Sequence, residues 1–288
     1  MPPESTLPNT WQLKSRQLKF GELPAIMGIV NVTPDSFSDG GNHDSHAAAI
    51  EHGLKLVADG ADILDIGGES TRPYSQPVTT DEELRRVTSV IEELARQTDV
   101  PISIDTSKAE VASAALQAGA EIINDVTGLE GDPAMITFAK ATSAGICAMH
   151  MQGTPQTMQD NPSYEDVVDD ILDYLNQRRD WLLQQGIDQA RICLDPGIGF
   201  GKSHQHNLQL VARIKRFHET GCPILVGHSR KGFIKKFSED ESSERVPGTL
   251  AVSLILATAG IQVIRVHDVL ETRQGLLMQQ AVRAHSNR

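Results

Sequence analysis

One pattern recurs eight times along the chain: a short apolar run rich in β-branched residues, a polar loop, and a segment with helical periodicity. The runs begin near Ile26, Ile63, Ile102, Ile122, Ile146, Ile192, Ile224 and Val263. Strands that are apolar throughout and alternate with helices predict a parallel sheet covered on both faces. Eight such units in 288 residues predict an α/β fold, a single (β/α)8 TIM barrel over residues 26–285.

An open, doubly wound sheet is the alternative α/β architecture. It would usually have fewer strands and a glycine-rich GxGxxG turn after the first strand, which this chain lacks. Residues 1–25 precede the first run, and we expect this N-terminal extension to form a short hairpin that plugs the bottom of the barrel. Helix starts are predicted from two capping boxes, Thr80–Glu83 and Ser107–Glu110, and from Asp132 before Pro133.

The net charge of −12 limits the classes of partner. An acidic surface repels the phosphates of nucleic acids and anionic lipids, so we expect neither nucleic acid nor membrane as a partner. The stretch between Arg245 and Arg265 carries no charge and is about as long as a membrane span. Because Pro247, Gly248 and Gly260 interrupt it, a buried helix followed by a buried strand explains it better.

The N-terminus has no apolar signal core, and the three cysteines form no CxxC pair. We therefore expect buried free thiols in a reducing compartment, the cytoplasm.

Nearly every predicted strand ends in a polar or charged side chain. In chain order these are Asn31, Asp65, Asp105, Asn124, Asp125, His150, Asp195, Ser229, Lys231, Arg265 and His267. In a TIM barrel the carboxyl ends of all strands meet at one mouth, which holds the active site. Any one carboxylate here is as readily a helix cap as a functional group. Strand alternation turns Asp125 and Asp268 away from the mouth, and His150 is best read as a packed core histidine. The convergence of the others favours a site.

Two loops at this mouth are long and irregular. The sequence NVTPDSFSDGG follows the first strand, and GGESTRPYSQPVTT follows the second. Long structureless loops in a compact domain are typically lids or binding loops, although merely variable loops are the alternative. Phe37 in the first loop and Arg72 in the second favour a ligand. The glycines of DPGIGFGK would let the backbone approach a flat or phosphorylated ligand.

A family resemblance rests on motifs that occur in order over residues 26–269. These are MGIVNVTPDSFSDGG, DIGGESTRP, SIDTSK, INDV, DPGIGFGK, SRKGF, RVPGTLA and IRVHDV. They are similar to those of the dihydropteroate synthases. The resemblance implies an enzyme of folate biosynthesis that condenses a dihydropterin methyl diphosphate with 4-aminobenzoate and releases pyrophosphate. It also implies a TIM barrel, a Mg²⁺ cofactor, a homodimer and a target of sulfonamides.

The same resemblance assigns roles to individual residues. The pterin would be bound by Asp105, Asn124, Asp195, Lys231 and Arg265, and the catalytic residues would be Asp105, Lys231 and Arg265. The diphosphate would be bound by Asn31, Thr71, Arg72, Arg265 and His267, with Asn31 as the protein ligand of Mg²⁺. The 4-aminobenzoate pocket would be formed by Phe37, Thr71, Arg72, Pro73 and Ser229.

Two other functions are consistent with a pterin-binding barrel. A methyltransferase-type module that presents methyltetrahydrofolate would not need the NVTPDSF and ESTRP loops, and both are intact. A silent pterin-binding paralogue would lack Asp105, Lys231 or Arg265, and all three are present. The chain departs from the family at His228, where a small residue is usual, so His228 either alters the pocket floor or points away from it.

Overall fold

The computed structural model describes residues 7–32, 42–237 and 245–286. Its strands are β1 Thr10–Gln12, β2 Gln17–Lys19, β3 Ala25–Asn31, β4 Ile63–Gly67, β5 Ile102–Asp105, β6 Ile122–Asp125, β7 Gly145–Met149, β8 Ile192–Asp195, β9 Leu225–Gly227 and β10 Val263–Val266. Its helices are α1 Asn42–Ala58, α2 Thr80–Gln97, α3 Ala109–Ala118, α4 Pro133–Ala141, α5 Val167–Gln184, α6 His204–Ala212, α7 Gly232–Phe237, α8 Val246–Ala259 and α9 Val269–Ser286.

Strands β3 to β10 form one parallel sheet in which each strand pairs with its neighbour in the chain, and β10 pairs with β3. The remaining gap, between β8 and β9, is bridged where the Leu194 amide donates to the Pro223 carbonyl at 3.0 Å. The sheet therefore closes on itself, and the predicted TIM barrel is confirmed. Helices cover its outer surface.

Alternation along the strands divides the core in two. Outward side chains such as Leu64 and Ile104 join the large cluster between the sheet and the helices. Inward side chains near the strand starts, including Ile63 and Val263, form a smaller cluster inside the barrel. Polar side chains occupy the inward positions nearer the strand ends, so the barrel interior is apolar below and polar at the mouth.

The residues before the barrel form an antiparallel hairpin from β1 and β2. Trp11 on β1 is fully buried in the interior cluster, and its indole nitrogen donates to the Arg191 carbonyl at 2.8 Å. A buried tryptophan needs such an acceptor for its N–H group. The hairpin thus covers the amino-terminal end of the barrel, opposite the polar mouth.

Only one of the three predicted helix starts is confirmed. Asp132 caps α4 by accepting from the Ala134 amide, with Pro133 in the first turn. The cap of α2 is Thr79 rather than Thr80. The Ser107–Glu110 prediction is wrong: α3 has no side-chain cap of its own, and the Ala109 amide donates instead to the Asp132 carboxylate at 2.8 Å.

The uncharged stretch before Arg265 forms α8 and then β10, as predicted. Within the described ranges, no helix has both the length and the apolar character needed to cross a membrane. All three cysteines are buried free thiols.

Candidate active site

Arg265 on β10 links the carboxylates of two other strands at the mouth of the barrel. Its Nε donates to Asp65 Oδ2 at 2.5 Å, and its Nη2 donates to Asp105 Oδ2 at 2.8 Å. All three residues occupy inward positions, because alternation turns them to the same side as the interior cluster. The two ion pairs fix the guanidinium plane within the site, which a single pair would not do.

Asp105 has an unusual electrostatic environment. Burial raises the pKa of its carboxyl group to about 7, although the Arg265 charge acts in the opposite direction. Its Oδ1 is buried and accepts no hydrogen bond from any residue that the structure describes. Burial alone would lower the pKa of Arg265, but the carboxylates of Asp65 and Asp105 raise it above its usual value. Asp105 therefore presents one carboxylate oxygen that is free to interact with a ligand.

Asn124 and Asp195 lie on either side of this ion cluster. The Asn124 Nδ2 donates to Asp65 Oδ2 at 3.2 Å, and Asp195 Oδ1 accepts from the Gly197 amide at 2.7 Å. Burial raises the pKa of Asp195, whereas the charge of Lys231 lowers it. A methyl group at Gly227 would lie 3.8 Å from Arg265 Cδ and 4.0 Å from Asp195 Oδ2. Gly227 therefore lies next to both Arg265 and Asp195.

Lys231 enters the site over the DPGIGFGK loop. Its Nζ donates to the Ile198 carbonyl and lies 4.3 Å from the centre of the Phe200 ring. Burial lowers the pKa of Lys231 to about 7, against the opposing charge of Asp195. Gly199 has a φ of +84°, and a Cβ there would lie 2.8 Å from Lys231 Cδ, so both its conformation and its space require glycine.

His267 and Ser229 form a second polar group beside Arg265. The Ser229 Oγ accepts from the His267 amide at 3.2 Å and lies 3.0 Å from His267 Nδ1. Burial, and then the charges of Arg265, Arg230, Arg72 and Lys231, lower the pKa of His267 to about 3. His267 is thus neutral. In the tautomer in which Nδ1 accepts from the Ser229 hydroxyl, Nε2 carries the proton. A neutral donor within reach of four cations is well suited to an anion, despite the acidic net charge of the chain.

The remaining predicted residues surround this mouth. Asn31 ends β3 beside Gly67, since a methyl group at Gly67 would lie 3.9 Å from Asn31 Oδ1 and 3.6 Å from Asp105 Cβ. Thr71 and Asp105 line one cavity of about 120 Å³. Arg72 and Pro73 are exposed on the loop after β4. Phe37, the other residue predicted for the 4-aminobenzoate pocket, lies outside the described residues.

Two acidic residues predicted to point away from the mouth do so. Asp125 accepts from the backbone amides of Thr127 and Leu129, and Asp268 pairs with Arg230. Both act as structural groups at the end of a strand.

His150, predicted to be a packed core histidine, and His228, predicted either to alter the pocket floor or to point away from it, are both buried. His150 lies edge-on to Tyr174, with 4.8 Å between ring centres, and burial lowers its pKa to about 2. His228 contacts Ser253 Oγ at 2.9 Å on α8, so it faces the helices rather than the pocket floor.

Three residues of the site were not assigned from the sequence. Asp65 is recognised from the sequence only as a strand end. The structure places it on the inward face of β4, where it pairs with Arg265. Lys202 is the last residue of the DPGIGFGK motif, in which only the glycines and Asp195 were assigned a role from the sequence. Its Nζ lies 2.9 Å from His150 Nδ1 and donates to the Phe200 carbonyl at 2.8 Å. Lys108 ends the SIDTSK motif and binds two carboxylates.

Comparisons with known proteins agree with this geometry. A family model described as pterin binding enzyme matches residues 27–267. The chain is 45% identical over 258 residues to the dihydropteroate synthase of Escherichia coli K12, covering 90% of this chain and 91% of that protein.

Solved structures of similar proteins extend the agreement to the fold. The Xanthomonas albilineans dihydropteroate synthase with 4-aminobenzoic acid has a TM-score of 0.90 and 46% identity, covering 97% of this chain and 99% of that one. The complex of the Xanthomonas albilineans enzyme with 7,8-dihydropteroate has a TM-score of 0.86 and 44% identity, covering 95% and 99%. With a family model over most of its length and these relatives, the chain belongs to the pterin-binding enzymes and, within them, to the dihydropteroate synthases.

Proposed function

We propose that this protein condenses (7,8-dihydropterin-6-yl)methyl diphosphate with 4-aminobenzoate to give 7,8-dihydropteroate and pyrophosphate. The observation that carries the proposal is the mouth of the barrel, where buried carboxylates on three strands meet Arg265 beside a group of cations. Carboxylates suit the nitrogen-rich edge of a pterin, and cations suit a diphosphate. The relatives with bound 4-aminobenzoic acid and 7,8-dihydropteroate support both substrate classes.

The pterin ring is assigned to the inward side chains between β5 and β10. Asp195 keeps one oxygen bonded to the Gly197 amide and offers the other to a ring amino group and an adjacent N–H. The side-chain nitrogen of Asn124 donates to Asp65, so the side-chain oxygen of Asn124 is left to contact the ring edge. Lys231 donates to the ring carbonyl, and the fixed plane of Arg265 stacks on the ring face.

The diphosphate is assigned to the basic side of the mouth. His267 donates through its Nε2 proton, and Arg265, Thr71 and Arg72 contact phosphate oxygens. Pro73 and Ser229 border the space for 4-aminobenzoate, and sulfonamides would compete for the same space.

The residues present fit a Mg²⁺ ion held mostly by the substrate. In the described part of the chain no group of three His, Cys, Asp or Glu could hold a metal. Asn31 supplies a hard amide oxygen beside the site, and Mg²⁺ typically combines one or two protein ligands with phosphate oxygens and water. When bound, Mg²⁺ would neutralise charge on the diphosphate leaving group.

The chemistry then follows from the positions of Asp105 and Arg265. Breaking the bond between the methylene carbon and the diphosphate oxygen sends the electron pair to pyrophosphate and leaves a cation that the pterin ring delocalises. The ionised Asp105 stabilises that cation electrostatically. The nitrogen of 4-aminobenzoate then attacks the methylene carbon and loses one proton to solvent. No covalent bond to the protein is required.

Pyrophosphate release by the purified protein tests this proposal. We expect release only when both substrates and Mg²⁺ are present, with dihydropteroate formed in equal amount. Adding a chelator in place of Mg²⁺ is expected to abolish release, and Asn31→Ala is expected to raise the Mg²⁺ concentration needed for half-maximal rate. Pterin binding without release would instead indicate a silent paralogue or a methyltransferase-type module.

We also propose that the protein is a homodimer through α8 and α9. Helix α8 contains no charged residue, and a helix that is apolar on all sides needs cover on all sides. Ile255 on α8 is 50% exposed, and Met278 on α9 is 66% exposed. Light scattering is expected to give twice the chain mass of 31.3 kDa, and Met278→Glu is expected to shift the protein towards monomer. A monomeric wild type would contradict this.

The free cysteines are consistent with a reducing compartment, and we propose the cytoplasm.

A further inference from the structure

The loop after β4, residues 69–79, has no regular secondary structure, yet it carries Thr71, Arg72 and Pro73. The middle of this loop is held by the segment after β7. The Tyr74 amide donates to the Pro155 carbonyl at 3.0 Å, and Gln156 Nε2 donates to the Ser75 carbonyl at 3.3 Å. Those contacts fix the middle of the loop, so its stem needs a separate support if the three residues are to keep their positions.

That support is a cluster of Glu69, Lys108 and Glu83, which we call the loop anchor. One oxygen of Glu69 accepts from the amide of Val78 at 3.2 Å and thereby joins the two ends of the loop. The other oxygen of Glu69 accepts from Lys108 Nζ, which also donates to Glu83 at 2.5 Å. Lys108 follows Asp105 by three residues, so the anchor ties the loop to the turn after the strand that carries Asp105.

The two ion pairs of the loop anchor have different roles, because Glu83 and Glu69 differ in burial. The side chain of Glu83 on α2 is fully buried, and among the residues that the structure describes only Lys108 forms an ion pair with it. The side chain of Glu69 is 23% exposed and has no comparable need for a buried cation. The pairing of Glu83 with Lys108 therefore supports the packing of α2 and α3, whereas the pairing of Glu69 with Lys108 serves the loop.

We propose that Lys108 is a positioning residue that sets the affinity for 4-aminobenzoate by holding the loop stem through Glu69. This inference rests on the function proposed above, because the loop residues are assigned there to the amine and the diphosphate. Lys108 itself is assigned no contact with either substrate.

Glu69→Gln tests the inference without leaving Glu83 unpaired. The amide oxygen of glutamine can still accept from Val78, but the charge attraction to Lys108 is lost. We expect the KM for 4-aminobenzoate to rise about tenfold, since the charge-assisted hydrogen bond from Lys108 to the loop stem is lost. We expect kcat within about twofold of wild type, unchanged affinity for 6-hydroxymethyl-7,8-dihydropterin, and faster amide hydrogen exchange in residues 70–78 only.

Two further variants complete the experiment. Glu92→Gln removes a carboxylate of the same type from the exposed pair with Arg96 on α2, and it should change neither KM nor exchange in the loop. Lys108→Arg retains the charge and both partners and should keep the KM close to wild type.

An unchanged KM in Glu69→Gln, or a loss confined to kcat or to thermal stability, would overturn the positioning role. A wild-type protein that forms no dihydropteroate would refute the proposed function instead, and hydrogen exchange would still report whether Glu69 holds the loop.

Discussion

Replacing Asp105 with asparagine is expected to lower kcat by about 100- to 1000-fold, the usual effect of removing one preorganised group that stabilises transition-state charge. Asparagine has nearly the same shape, but it cannot offer a negative charge to the pterin cation. The loss should therefore fall on the step that releases pyrophosphate. Rapid-mixing measurement of pyrophosphate in a single turnover would isolate that step from product release.

The dependence of turnover on pH supplies a matched control. Burial raises the pKa of Asp105 to about 7, so below that pH the group is protonated and neutral. Wild-type turnover should therefore rise as the pH increases through about 7, and the asparagine variant should lack this rise. Affinity for 6-hydroxymethyl-7,8-dihydropterin should change little, which separates lost chemistry from lost binding. Turnover close to that of wild type would remove Asp105 from the mechanism.

The barrel could be predicted from the sequence because its signal is repeated and local. Each strand can be identified from a short run of apolar residues without knowing which strand it pairs with. Eight such strands alternating with helices indicate a closed barrel. The alternation of side chains along a strand is equally predictable, because the backbone fixes its period of two residues. It correctly predicted that Asp125 and Asp268 point away from the mouth.

Helix caps were less predictable because hydrogen-bond partners are not local. Ser107 and Glu110 have the spacing of a capping box, yet the amide of Ala109 binds Asp132, which is distant in the chain. A sequence pattern indicates which groups could form a hydrogen bond at a helix start. The fold determines which acceptor actually lies close to the amide.

The same limit explains which site residues were missed. Arg265 and Asp105 were found as strand ends, but the pairing of Arg265 with Asp65 depends on strands 200 residues apart in the chain. The roles of Lys108 and Glu69 likewise depend on a contact between two loops. An ion pair that involves a catalytic residue can thus be predicted from the sequence only when the two residues lie in the same motif.

Replacing Arg265 with alanine is expected to destabilise the protein by about 3–5 kcal/mol, because it leaves buried carboxylates without their cation. Asp65 is fully buried and Asp105 is 8% exposed, so solvent cannot replace the guanidinium. Turnover should fall as well, since the same side chain is assigned to the pterin face and the diphosphate. Urea unfolding followed by circular dichroism would measure the stability, and pyrophosphate release would measure the turnover.

The loss of stability should itself depend on pH. The pKa of Asp105 is already raised in the folded state, and removing Arg265 raises it further. A carboxyl group with a raised pKa in the folded state favours folding at low pH and loses that contribution as the pH rises through the folded pKa. The deficit should therefore be smaller at about pH 5.5 than at about pH 8. Arg96→Ala, which removes an exposed ion pair on α2, should cost about 0.5 kcal/mol at either pH. A deficit in Arg265→Ala that does not change with pH would show that Arg265 acts through packing rather than by neutralising the two carboxylates.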